Sequence, residues 1–189
     1  MTTCSKIALT LLSCASALML AGCGKPDHID LLGVRAGMSL DEVKAAAPAG
    51  ASLYCLGDGD IMFDQRARLP PSTTLKFCTW STLGADGTRS VAQLQLGNAT
   101  SFQQTLAFSY SAAGYTLSSF GIEFPSAAFS GIVTSLTEKM GKPDSAAGFA
   151  GLNETVQWDG KDGTLKAGLD VSGAPIALVM LQRPSTPRS

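Results

Sequence analysis

The chain has 189 residues, 45% of them hydrophobic and 15% charged, with a formal net charge of −1. A balance this even, with no basic stripe, argues against nucleic acid as a partner. The single histidine, His28, leaves Ser-His-Asp and Cys-His catalysis without a placed base and a histidine-rich zinc site without ligands.

Residues 1–22 have the parts of a secretory signal: a polar start with Lys6, an apolar run over Ile7–Leu20, then small residues. The run is shorter than the roughly twenty residues a bilayer-spanning helix needs. Leu20-Ala21-Gly22-Cys23 resembles the lipobox of bacterial lipoproteins. That resemblance implies cleavage before Cys23, a diacylglycerol on its sulfur and an acyl group on its nitrogen, since one chain alone holds a membrane only marginally. Gly24 stands where an aspartate would retain such a protein in the inner membrane. The implied location is therefore the outer membrane, facing the periplasm or exposed at the surface. Cleavage leaves 167 residues, and because Lys6 is the only charge removed, the remainder carries −2. This length is enough to bury a sizeable core. The predicted division is a lipidated tether over 23–30, one domain over 31–182, and a frayed tail over 183–189. His28 is then a solvated tether residue.

Five cysteines are present. Cys4 and Cys14 leave with the signal, Cys23 takes lipid, and Cys55 and Cys78 remain. In an oxidising compartment the last two are expected to pair. The bond would close a loop of 23 residues. That is worth roughly 3 kcal/mol by loop closure, with Cα atoms about 4.4–6.8 Å apart. A redox-active pair would call for a C-x-x-C spacing or a neighbouring base, and neither is visible.

Along the domain, Met38-Ser39-Leu40-Asp41-Glu42-Val43 spells a capping box, with Ser39 as N-cap and Glu42 three residues on. A helix of about nine residues follows, its apolar face Leu40, Val43 and Ala47, stopped by Pro48. Leu53–Cys55 and Lys76–Trp80 read as strands. The segment between them, with Asp58, Asp60, Arg66 and Arg68, is a long loop and the candidate partner-binding site. Its alternative reading is solvated charge, and its two carboxylates are too sparse for a calcium loop. Ala92, Leu94 and Leu96 alternate as a half-buried strand, and Leu106, Phe108 and Tyr110 form the next. After a turn at Ser111–Gly114, a third strand begins at Tyr115 and Leu117 and resumes at Phe120, Ile122 and Phe124. That change of parity requires a bulge near Ser118-Ser119.

Phe129, Ile132, Val133, Leu136 and Met140 share one helical face. Ser126 is the candidate cap, and Gly141 and Pro143 end the helix. Val156 and Trp158 start a strand, Asp159–Gly163 turns, and Leu165–Val171 returns. Ile176–Leu181, apolar on both faces, reads as a central strand. The predicted class is α+β: an antiparallel sheet with two helices on one face, in two degenerate helix-plus-strands repeats over 31–124 and 125–182.

Gly37-Met38-Ser39-x-x-Glu42-Val43 resembles the opening helix of the SmpA/OmlA-type outer-membrane lipoproteins. Leu136-x-x-Lys139-x-Gly141-x-Pro143 with Val156-x-Trp158 resembles the later part of that unit. The resemblance implies the fold of the β-lactamase inhibitor protein and a role in assembling or maintaining the outer membrane. The first copy lacks Gly-x-Pro after its helix, and the second lacks Gly-Met-Ser before it.

Paired carboxylates could hydrolyse glycosides, but Asp159 and Asp162 belong to a turn. The expectation is a non-catalytic binding or scaffold module without cofactor or metal. It is anchored through Cys23 and contacts an envelope protein or peptidoglycan. The alternatives are inhibition of a periplasmic enzyme and carriage of a lipid or glycolipid, which requires a deep apolar cavity.

Overall fold

The computed structural model describes residues 27–149, 152–170 and 175–184. The signal segment and Cys23 lie outside the described residues, as do Val171 and the last five positions. Among the described residues no helix is long and apolar enough to cross a membrane.

The capping box forms as the sequence predicts. Ser39 Oγ accepts the Glu42 N–H at 3.3 Å, and Glu42 Oε2 accepts the Ser39 N–H at 2.7 Å, opening α1 (Leu40–Ala45). The donors of Ser39, backbone first and hydroxyl second, hold the Glu42 carboxyl below its ordinary pKa. The helix is six residues rather than nine. Pro48 disfavours helical backbone at Ala47, so the chain leaves the helix a turn early. Only Val43 is fully buried.

The strands are β1 (Ala51–Cys55), β2 (Leu75–Leu83), β3 (Arg89–Val91), β4 (Gln95–Leu96), β5 (Ala99–Thr100), β6 (Gln103–Ser111), β7 (Gly114–Pro125), β8 (Ser145–Phe149), β9 (Leu152–Asp159), β10 (Thr164–Asp170) and β11 (Ile176–Gln182). One antiparallel sheet runs β1-β2-β6-β7-β11-β10-β9-β8, with β3 added to β2 and β4-β5 paired apart. The expected continuous strand over Ala92–Leu96 does not form. Those residues alternate in burial as predicted, but the ladder is broken into β3 and β4. Ala92 and Leu94 reach the core on single backbone bonds to Trp80 and Ser101.

The β6–β7 hairpin carries the predicted bulge. Ala107 faces Ser119 while Phe108 faces Leu117, so Ser118 is the extra residue. Its hydroxyl donates to Ala107 O at 2.8 Å. The insertion moves the buried set from Leu117 to Phe120, Ile122 and Phe124. Tyr110, expected on the buried face, is 71% exposed. The hairpin runs past the end of the core, so its last positions have nothing to pack on.

A 3₁₀ turn over Ser126–Ala128 leads into α3 (Phe129–Met140). Ser126 makes no capping bond. Ala128 takes the N-cap place, and the tighter turn supplies the entry instead. Gly141 ends the helix with φ +84°, and its N–H reaches Thr137 O at 2.9 Å. Trp158 Nε1 then donates to Gly141 O at 2.9 Å, tying the helix end to β9.

Phe129, Ile132, Leu136 and Met140 of α3 join Val43 of α1 in one buried cluster with Trp80, Phe108, Phe120, Ile122 and Leu181 of the sheet. Ile29 and Leu31 belong to the same cluster. Ile29, expected in the tether, is therefore packed, while Asp27 and His28 stay exposed. Asp27 and His28 meet Lys161 and Asp162 of the β9–β10 turn at 2.5 and 2.9 Å. Side chains alternate across a strand, so Tyr54 and Phe77 point away from this core beside Cys55 and Cys78. On that opposite face they pack with Phe63, Ala67 and Leu69. A third helix, α2 (Ile61–Arg66), covers them. The segment expected as a long loop between the two strands thus contains a short helix.

Candidate functional site

The site grows from the disulfide outward. Cys55 and Cys78 are directly opposite in the β1–β2 ladder and are bonded, with S–S 2.01 Å and Cα–Cα 3.9 Å. The predicted pairing is present, though the Cα atoms are closer than the usual span. Leu56 N–H bonds to Phe77 O at 2.9 Å, so the neighbouring pair is the hydrogen-bonded one. The cysteines therefore occupy the non-hydrogen-bonded position, where facing Cα atoms approach most closely.

The chain then turns at Gly57 and Gly59, with φ +90° and +106°, values that glycine tolerates best. Asp58 Oδ2 accepts the Cys55 N–H at 2.8 Å and closes the turn. Asp60 caps α2 by accepting the Phe63 N–H on Oδ1 at 2.8 Å. Neither carboxylate is turned out toward a ligand. Each satisfies a backbone donor that the turn would otherwise leave unpaired.

Tyr54 locks the start of the helix to the sheet. Its hydroxyl accepts the Asp60 N–H at 3.0 Å and donates to Asp64 Oδ1 at 2.9 Å. Phe63 meets the Tyr54 ring edge-on, centroids 4.8 Å apart. Burial raises the Tyr54 hydroxyl pKa. The Asp60 backbone bond opposes that rise, and the Asp64 carboxylate adds to it.

Arg89 from β3 completes the lobe and has no counterpart in the sequence reading. Its guanidinium lies over the rings of Tyr54 and Phe63, and Nη1 donates to Ser81 Oγ at 2.8 Å. Its Nε faces Asp60 Oδ2 at 4.0 Å. Arg66 Nη2 reaches the Arg89 carbonyl at 3.1 Å. Gln103 Nε2 donates to Ala67 O, fixing the far end of the helix to β6.

Of the four predicted loop residues, Asp60 and Arg66 are thus brought together around Arg89. Asp58 sits apart in the turn at the end of β1. Arg68 stands exposed in a left-handed turn, φ +51°, that drops Leu69 into the lower core. The first turn of α2 presents two apolar side chains outward, Ile61 at 71% and Met62 at 65% exposure, beside the exposed Gln65 and Arg66.

Two clefts lie elsewhere among the described residues. One, of about 550 Å³, runs between the β4–β5 turn and the polar side of α3, at Asn98, Ser130, Thr134 and Glu138. The other, of about 430 Å³, lies between Thr73–Phe77 and the Tyr110/Tyr115 pair. The space between sheet and α3 is filled by Phe120, Ile132 and Leu136. Among the described residues no three His, Cys, Asp or Glu side chains form a group that could hold a metal. No family model, curated protein or solved structure matches the chain.

Proposed function

We propose that this chain is a lipid-anchored protein of the bacterial outer membrane whose α2 lobe is a non-catalytic docking surface for another envelope protein. The observation that carries this reading is the exposed pair Ile61-Met62 on a helix that cannot drift. The Tyr54 hydroxyl and Arg89 hold α2 against the sheet and the disulfide closes the loop that carries it, so little ordering is left for a partner to impose. Contiguous exposed apolar surface is what marks interaction sites, and Ile61 and Met62 are adjacent on one helical turn. Their chemistry suits a protein better than the polar polymer of peptidoglycan. The filled space under α3 favours partner docking over lipid carriage.

The strand order supports an internal duplication. β1-β2-β6-β7 follows α1, β8-β9-β10-β11 follows α3, and the two sets meet last strand to last strand at β7–β11. Val43 and the α3 stripe sharing one buried cluster agrees with two helices on one face. On this reading the fold is of the kind the SmpA/OmlA resemblance implies, and the role is maintenance or assembly of the outer membrane.

The anchor is tested by metabolic labelling with palmitate. The intact protein takes up label and Cys23→Ala does not; label surviving the substitution contradicts the anchor.

A further inference from the structure

We propose that the tip of the β6–β7 hairpin, carrying Tyr110 and Tyr115, is a second membrane contact that sits in the lipid headgroup layer. The inference rests on the anchor at Cys23. It concerns which end of the domain that anchor brings to the bilayer.

The described chain begins at one end of the sheet, where Asp27 accepts the Lys161 N–H in the β9–β10 turn. Between Cys23 and Asp27 there are only four Cα steps, about 15 Å at full extension. An acylated Cys23 therefore holds this end against the bilayer. The β6–β7 tip belongs to the same end. Asp159, Thr164, Gln182, Ser119 and Ala107 form one row across five strands. From Ala107 the hairpin continues four more positions to Ser111, opposite Gly114. At about 3.4 Å per residue the tip overhangs that row by roughly 14 Å, nearly the full reach of the tether. The hairpin and the anchor can thus meet one plane together.

The tip has the chemistry of that layer. Tyr110 and Tyr115 pack edge to face at 5.1 Å, both turned to solvent, each an apolar ring with a polar end. Such residues gather at membrane–water interfaces. The Lys76 ammonium lies 5.7 Å from the Tyr115 ring centroid. Arg35 and Arg183 are exposed at the same end, near Met38 and Gly37, where cations face anionic phosphates. The α2 lobe leans the other way, toward Arg89 and Gln103 near the far ends of β3 and β6. A tip seated in the headgroups leaves that surface free for a partner.

Both tryptophans, Trp80 and Trp158, are buried, so an added indole reports its own surroundings. The test uses full-length protein from envelope membranes, reconstituted in phosphatidylethanolamine–phosphatidylglycerol vesicles with brominated acyl chains, with Cys23 acylation read by mass spectrometry. Tyr110→Trp and Tyr115→Trp should each lose roughly half or more of the added emission, as expected for an indole at the interface. Phe149→Trp, on β8 near the opposite end, should lose almost none. Acylated protein with unquenched tips, or with quenching equal at 110 and 149, overturns the tip contact while the anchor stands. Protein lacking acyl groups overturns the anchor and the contact with it.

Discussion

The Arg89 guanidinium lies 5.0 Å from the Tyr54 ring centroid and 5.9 Å from that of Phe63, so one cation from β3 covers rings from β1 and α2. The same side chain bonds to Ser81 and faces Asp60, the cap of the helix. Removing it uncovers both rings and leaves the Ser81 hydroxyl without its donor. Arg89→Ala should cost about 1–2 kcal/mol, from the cation–π contact and one hydrogen bond. Urea unfolding measures this. Arg89→Lys should recover only part, because an ammonium cannot lie flat on two rings and reach Ser81 at once. Full recovery would argue that charge alone matters at this position.

Tyr54 makes the stability of the lobe sensitive to alkali. Burial raises its pKa in the folded chain above the unfolded value, so its contribution is complete below that unfolded value, about 10. The contribution is lost as pH rises through the folded value. Tyr54→Phe, lacking the bonds to Asp60 and Asp64, should be less stable than the parent by about 1–3 kcal/mol at neutral pH. Melting curves taken at increasing pH should converge above the tyrosine range. A gap that stays constant would contradict the raised pKa.

Leu136 is the midpoint of the α3 stripe and fully buried among Phe120, Ile132 and the sheet. Leu136→Ala leaves a cavity that a packed helix–sheet interface cannot close. It should therefore cost about 2–5 kcal/mol. A variant unfolding at the same urea concentration as the parent would remove α3 from the core.

Much of this architecture was readable from local pattern. Ser39 and Glu42 announce α1 because a capping box is complete within four residues. The change from odd to even apolar positions between Leu117 and Phe120 requires an inserted residue, and Ser118 is that residue. The α3 stripe follows from spacing alone. α2 was missed because a six-residue helix buries only Phe63 and so has no stripe to read. Its one local signal is Asp60, an acid three residues before Phe63, which its spacing from Asp58 disguises as half of a carboxylate pair. β8, Ser-Ala-Ala-Gly-Phe, is exposed at every position and carries no alternation. Arg89 gave no signal at all. Its role comes from the β2–β3 pairing, which lays it over Tyr54 from thirty-five positions along the chain.

The docking surface proposed on α2 can be probed with a photoreactive amino acid at single positions in the full-length protein, activated in intact cells. Position 62 should give one discrete crosslinked species with another envelope protein. Ile61→Ser introduced alongside should abolish that product while the fold, read by circular dichroism, is unchanged. Probes at Ser130 and Thr134, on the polar side of α3, should give none. No product from position 62, or the same product from α3 as from α2, would mean that α2 is not the docking surface.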